Sequence, residues 1–587
     1  MFRAACSGML VFGERRRSEC PRQLLQELQA AAARPIEGRA DWIDRHGRLV
    51  DLFIAAAGLA QGLLDERFAR ERRDRLDAAV TTVDAVLRRL AGSVIDSWTT
   101  GATPSPAVTT GAIAALATLQ LPERVESKEA EGYAYYALYP ESYAMAARGL
   151  AGTSPTVIGL RSIGLGLGAV VAAGTGASLS LSLRPIGHPF ERKLALANGL
   201  RDSLAGRRDR LFAVVDEGPG LSGSSFAAVA DVLERLGVPR RNIHFFPSHH
   251  NPPGGAARPE TVARWHAAPR HVVGFDRLAL DTPEPRHRLA AWVEDLTGPA
   301  LVPLQDIGAG RWRELSSTGR VAPASPRKER RKFLLRGERG VFLLRFAGLG
   351  RTGRAALRRA RILAGSGFTI EPLGLRHGFL VERWQEEAVA LDANRDRAGL
   401  VVQLADYLAF RARHLPAPAQ SGATLAELDE MRRRNIAGLL ASAAHEARLP
   451  APPPEHLVRR VETDNRMHAW EWLLRPGGRL VKTDAIDHCD AHDLIGCQDI
   501  AWDVVGAGIE LGLSDGEFDA LCAGLRSRGC ALEPRLIDFY ESCYLAFQAG
   551  NFTLDAQAPL LEVDRRLLCT LTYRYVALLK KRCLREL

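Results

Sequence analysis

The sequence predicts a fold of class α/β plus α+β: an N-terminal helical layer, an open parallel sheet with helices, and a C-terminal two-lobed unit. Three observations carry this. Residues 211–215 are a short apolar run ending on Asp216 and Glu217; a Gly/Pro/Ser turn and a helical stripe to Leu236 follow, and Gly237 stops the helix. Residues 332–336 and 341–346 read as a hairpin about Gly337 and Gly340. A helix (354–364), a strand pair and a mostly helical remainder come after it. Residues 23–33, 42–64 and 76–97 repeat apolar side chains at helical spacing, with no alternating segment near them.

Length and composition frame these elements. The chain has 587 residues, enough for about three or four domains. Apolar content of 46% with 25% charged residues is the balance of a packed globular chain. The expected division is a helical accessory region (1–120), an α/β domain (121–310), a polar linker (311–332) and the two-lobed unit (333–587). A net charge of +10, carried mostly by arginine, suits a small phosphorylated substrate. No basic stripe is interleaved with aromatics, so no nucleic-acid partner is expected. The nine cysteines are scattered without a C-x-x-C pair, which fits a reducing cytoplasm. The first twenty residues are too charged for a signal peptide. Residues 163–183 are uncharged and as long as a membrane span, but Gly- and Ser-rich. They read as a turn, helix and strand of the α/β domain, so no membrane partner is expected. The helical layer covers that domain or mediates a homo-oligomer.

The central stretch joins two chemistries. Ser222-Gly223-Ser224-Ser225 places backbone N–H groups and hydroxyls at a helix N-terminus, a cradle for phosphate. Asp216 and Glu217 can accept hydrogen bonds from a vicinal diol. A ligand with a phosphate at one end and a ribose nearby satisfies both; an ordinary βα turn is the competing reading. The arrangement Ala-Val-Val-Asp-Glu…Ser-Gly-Ser-Ser resembles the PRPP-binding motif of type I phosphoribosyltransferases. It departs by serines in place of threonines and by a longer spacer, 218–221. The resemblance implies a phosphoribosyltransferase-like domain with PRPP as substrate and Mg²⁺. Asp216 and Glu217 would hold the ribose, and residues 222–225 its 5′-phosphate. The turn 161–168, with Arg161, Ser162 and Gly164, would meet the pyrophosphate, joined by Arg184 and His188. Tyrosines of 131–141 would hood the acceptor or simply pack. His249 and His250 are a weak signal for a metal or an acceptor.

In the C-terminal unit, Asp464-Asn-Arg-Met-His468 precedes a short hairpin that runs into Lys482-Thr-Asp484. Gln498-Asp499 then opens a helix. This order resembles the aminoglycoside phosphotransferase and choline kinase group, and implies a protein-kinase-like fold using ATP and Mg²⁺. Carried over, Asp464 orients the acceptor hydroxyl, Asp484 holds the metal and Asp499 braces the loop. Arg345 takes the place of the small-lobe lysine and His468 that of the loop asparagine. Glu462 and Thr463 precede Asp464 where a histidine is usual, the helix after Arg345 lacks an acid, and no Gly-rich nucleotide loop is evident. His488-Cys-Asp-Ala-His492 has the ligand types for zinc without a second cluster. The expected function is a bifunctional PRPP-dependent and small-molecule kinase-like transferase. The alternative is a ligand-sensing protein with catalytically degenerate sites.

Overall fold

A computed structural model describes residues 8–34, 41–102, 104–315, 322–325, 328–441, 444, 448–557 and 561–583. Cys6 and parts of the expected linker lie outside the described residues.

Four helices make the N-terminal layer: α1 (Pro21–Ala33), α2 (Trp42–Glu71), α3 (Ala78–Thr100) and α4 (Pro106–Ala114). The Asp77 carboxylate accepts the N–H groups of Ala79 and Val80 and starts α3; Gly101, left-handed, ends it. A strand in this layer was not expected. β1 (Arg16–Glu19) pairs antiparallel with β2 (Val125–Lys128). Arg16, Ser18 and Glu19 face Lys128, Glu126 and Val125, so polar residues carry most of the pairing and no apolar alternation marks it. Among the described residues α2 alone is long and apolar enough to cross a membrane, and most of its apolar window is buried inside the protein.

The α/β unit opens with α5 (Glu131–Tyr135) and α6 (Pro140–Ala147). β3 (Thr156–Leu160), α7 (Ile163–Thr175), β4 (Leu179–Leu183), α8 (Asn198–Ala205), β5 (Phe212–Val215), α9 (Ser224–Arg235), β6 (Ile243–Phe246) and α10 (Pro259–Ala267) follow. The strands are parallel, in the order β4-β3-β5-β6. Every residue of β3 and β5 is buried, as an unbroken apolar run on a doubly covered sheet requires. The uncharged run 163–183 is α7 and β4. Three short helices, α11 (Phe275–Ala279), α12 (Leu289–Trp292) and α13 (Glu294–Thr297), lead on.

The small lobe is an antiparallel sheet of β7 (Gln305–Asp306), β8 (Lys332–Gly337), β9 (Gly340–Phe346), β10 (Pro372–Arg376) and β11 (Phe379–Arg383). Its order is β10-β11-β9-β8-β7, with helix α14 (Gly350–Gly365) between β9 and β10. Because β7 lies ahead of residue 311 and pairs with β8, the 311–332 segment connects two strands of one sheet and is not an interdomain linker. Its charges are spent on the other lobe: Arg313 on Asp564, Lys328 on Asp555 and Arg330 on Asp487.

The large lobe comprises β12 (Val389–Ala390), α15 (Arg397–His414), α16 (Leu425–Leu440), β13 (Arg460–Val461), β14 (Trp472–Leu474), β15 (Leu480–Lys482) and β16 (Gln498–Asp499). The helices α17 (Ala501–Glu510), α18 (Asp515–Ser527), α19 (Pro534–Asp555) and α20 (Glu562–Cys583) complete it. One apolar core unites the first three parts. Phe333, Phe342, Phe346 and Phe379 of the small lobe share it with Tyr139 and Trp292 of the α/β unit and Phe53 of α2. Full burial of such a ring contributes about 1.5–3 kcal/mol. The halves are therefore packed together, not tethered.

Candidate functional site

The sheet order reverses between β3 and β5, and a ligand crevice forms at the C-terminal ends of strands where that happens. Asp216 and Glu217 stand there, directly after β5. The Gly132 N–H donates to Glu217 Oε2 at 3.1 Å, and the Tyr143 hydroxyl donates to the Asp216 carbonyl at 2.8 Å. Burial pushes the Asp216 carboxyl up to about 7. Burial and then the neighbouring Asp216 push Glu217 up to about 8. Lys128 opposes both shifts only weakly.

The cradle is built, but on the protein's own chain. The Ser224 hydroxyl donates to the Pro189 carbonyl at 2.7 Å, and Ser222 Oγ lies 2.9 Å from Ser224 Oγ. Gly223 is left-handed, and a Cβ there would lie 2.8 Å from both Pro253 and Thr261. Ser225 follows in the first turn of α9. Loop 184–193 is thus latched over the helix N-terminus.

The expected pyrophosphate contacts are corrected. The Arg161 guanidinium is buried, donating to Asp74 at 2.5 Å and to the Ser182 carbonyl at 2.8 Å. Arg184 lies 3.2 Å from Asp65 and donates to the Arg161 carbonyl. Both arginines are held by carboxylates at the end of α2 and just beyond it. Gly164 has a packing role, since a Cβ would approach the Val215 carbonyl to 2.6 Å. Ser162 lines a cavity of about 880 Å³ bounded by α1, α2 and the start of α14. His188 is exposed in its loop, its ring accepting from the Phe190 N–H.

In the C-terminal half Asp484 follows β15 by two residues and stands close to the buried Asp464. The imidazole of His488 spans the two: Nδ1 lies 3.7 Å from Asp464 Oδ1 and Nε2 3.7 Å from Asp484 Oδ2. Arg345, on β9, donates to Asp484 at 2.8 Å and lies 3.3 Å from Glu382 on β11. The acid beside Arg345 in the small lobe thus comes from β11 and not from α14. Asp487 completes a group with Asp484 and His488 whose donor atoms lie within 4.8 Å of one another. Burial opposes charge on His488, yet Asp484 and Asp464 overcome it and raise the imidazole to about 9.

Asp464 itself is closed in. It has no exposure, and its Oδ1 lies 3.2 Å from Lys482 Nζ. Its Oδ2 accepts from the Tyr407 hydroxyl, which Arg411 supports at 2.7 Å. Burial works against its ionisation, but Lys482, His488 and Arg411 hold it well below the usual carboxylate range.

Two assignments are overturned by position. His468 is engaged elsewhere than at the two acids, with Nε2 3.2 Å from the Tyr575 hydroxyl and its ring stacked on Trp470. His488 is the imidazole at the acids. The brace is Asp503, not Asp499. The carboxylate of Asp503 accepts the N–H of Asp464 at 2.7 Å and of Asn465 at 2.8 Å. Asp499 instead accepts from the backbone of Arg459 and Ala501, at the entry to α17. The 488–492 cluster does not converge either: Asp490 pairs with Arg15 and Arg359, and His492 packs on Phe12. Lys482, Tyr407 and Asp503 escape sequence reading because each acts across 18 to 57 residues of chain. Asp487 and His488 carried a signal in the Asp-x-x-Asp-His spacing.

No family model and no curated protein matches the chain. Solved structures match part of it. The choline kinase LicA of Streptococcus pneumoniae covers 43% of this chain and 89% of its own, at 13% identity and TM-score 0.31. A choline/ethanolamine kinase family protein of Mesorhizobium loti covers 42% and 89%, at 15% identity and TM-score 0.27. An ethanolamine kinase of Plasmodium vivax covers 42% and 78%, at 12% identity and TM-score 0.29. The likeness is loose at these scores.

Proposed function

We propose that the chain is a small-molecule transferase of kinase type, with a second, phosphosugar-binding site in its α/β unit. The observation that carries this is Asp484, set at the end of a strand, paired with the small-lobe Arg345 and facing Asp464 across His488. Phosphoryl transfer needs a positioned hydroxyl and a metal-neutralised phosphate. Asp484 and Asp487 offer the hard carboxylate oxygens that suit Mg²⁺, and Arg345 offers a fork for a phosphate of ATP. Mg²⁺ would neutralise charge on the transferred group; Asp464 would orient the acceptor hydroxyl. In the α/β unit, Asp216 and Glu217, opposed only weakly by Lys128, would accept from the diol of a PRPP-like ligand.

A second reading, ligand sensing without turnover, is favoured by one observation. Asp464 has no exposure, and Lys482, Tyr407 and the Arg466 N–H fill its carboxylate. Mg²⁺-ATP is expected to raise the unfolding temperature of the intact protein, and Asp484→Asn to erase the rise. Protection together with ATP-dependent phosphorylation of small alcohols supports the kinase. Protection without transfer supports the sensor. The absence of protection sinks both for this half, and calorimetry with PRPP then tests the α/β site by itself.

A further inference from the structure

Three parts of the chain meet at one buried cluster outside both acidic sites. His46 comes from α2, Glu141 from α6, and His377 from the turn between β10 and β11. None of the three side chains has any exposure. His46 Nε2 lies 2.5 Å from Glu141 Oε1, and His377 Nε2 lies 2.9 Å from the same oxygen. The donor atoms all fall within 4.8 Å of one another. Trp42, Trp98, Tyr139 and Trp292 wall the cluster.

We infer that this cluster is a structural zinc site that staples the helical layer, the α/β unit and the small lobe. The cluster has an unmet need. Glu141 Oε2 is buried with no hydrogen-bond partner, although its companion oxygen serves two imidazoles. A buried polar atom left so is costly, the more so when it carries charge. A divalent ion seated between the two Nε2 atoms and the carboxylate engages both oxygens at once. The outer shell is in place for His46: its Nδ1 lies 3.0 Å from Ser97 Oγ, which leaves Nε2 for the ion. His377 is held by its backbone, with the Tyr139 hydroxyl donating to its carbonyl at 2.8 Å and φ at +43°.

The donor set selects the metal. Two imidazoles disfavour Mg²⁺ and Ca²⁺, which take oxygen ligands. Nitrogen and carboxylate donors at about 2.0–2.2 Å suit zinc, with Glu141 bidentate to make four contacts. To reach those distances the three groups separate slightly from their present hydrogen bonds. A site without solvent access has no open position for a reacting water, so its role is structural.

The test uses the full chain without a tag, produced in zinc-supplemented cells. Metal analysis is expected to find about one zinc per chain, and Glu141→Gln to lose it. Chelation should lower the unfolding temperature, and returned zinc should restore it. His377→Cys keeps a ligand, so its cobalt form should gain a thiolate-to-metal charge-transfer band that the wild-type cobalt form lacks. Wild-type protein holding less than about a tenth of an equivalent of zinc overturns the site. Zinc retained unchanged in Glu141→Gln, or a His377→Cys cobalt form without the band, overturns it as well.

Discussion

The two acidic sites of this chain are opposites. Asp216 and Glu217 sit at a strand end with backbone donors and one distant lysine, and both carboxyls are pushed up. Asp464 and Asp484 sit at a loop and a strand end among Lys482, His488, Arg345 and Arg411, and both are pushed down. Burial acts the same way at each, disfavouring charge, and the cations decide the outcome. The first pair is under-compensated and is completed by what binds it. The second is neutralised within the fold, and a ligand there must compete with groups already paired.

Removing a cation from the second site should have the largest effect. Lys482→Ala leaves Asp464 buried beside an empty place, and breaking such a pair costs about 3–5 kcal/mol. Denaturant unfolding of the large lobe is the measurement. A loss of less than about 1 kcal/mol would mean that Tyr407 and Arg411 suffice for Asp464, and the contrast between the sites would shrink.

The first site should reveal itself through pH. A carboxyl raised in the folded state binds its proton more tightly there than in the unfolded chain. Stability is therefore highest below the unfolded value near 4 and falls as pH rises to about 7 for Asp216 and about 8 for Glu217. Each tenfold gain in proton affinity corresponds to about 1.4 kcal/mol, so the fall amounts to a few kcal/mol, trimmed by the partial exposure of both groups. His488 adds a later loss, between its unfolded value near 6.5 and about 9. The pair Asp216→Asn with Glu217→Gln should flatten the profile between pH 4 and 7 and leave the later fall in place. Thermal midpoints across that range decide it; a parallel curve for the variant would show that the acids are not strained.

A smaller effect separates the two aspartates at the start of α17. Asp503→Ala removes the acceptor of two buried loop N–H groups and should cost about 1.5–3 kcal/mol. Asp499→Ala removes a cap-like contact and should cost about 1 kcal/mol. The reverse order of unfolding temperatures would return the brace to Asp499. This pair also shows what sequence can carry. The order of strands and helices was readable because hydrophobic period and Gly punctuation are local signals, as in β5, its turn and α9. The acidic positions Asp216, Glu217, Asp464 and Asp484 were readable for the same reason, each flanking a strand or hairpin. Partners were not. Asp499 and Asp503 differ by one helical turn, and only the fold shows which carboxylate meets the 464–465 backbone. Arg161 and Arg184 looked free for an anion because Asp65 and Asp74, which hold them, lie 87 to 119 residues away in sequence. The pairing of β7 with β8 leaves no local signal, because β7 has two residues and a long polar segment separates it from β8.

The smallest effect is expected at the cradle, and it bears on whether that site is open to a ligand. The Ser224 hydroxyl holds the Pro189 carbonyl, so loop 184–193 lies over the N-terminus of α9. A neutral, partly exposed hydrogen bond contributes about 0.5–1.5 kcal/mol, and Ser222 remains nearby to replace it. Ser224→Ala should therefore leave the global unfolding temperature almost unchanged. It should instead speed amide exchange in the 186–193 segment, where Ile186 and Lys193 form a backbone bridge. A phosphate group that takes the helix N-terminus must displace the Pro189 carbonyl, so inorganic phosphate should speed exchange in the same segment of the wild-type protein. In Ser224→Ala, where the latch is already released, phosphate should add little further exchange. If phosphate instead slows exchange there in both proteins, the loop closes over the anion and the latch belongs to the bound state. If it changes nothing in either, the serines serve only to hold the loop, and ligand binding at Asp216 and Glu217 would have to proceed without a phosphate anchor.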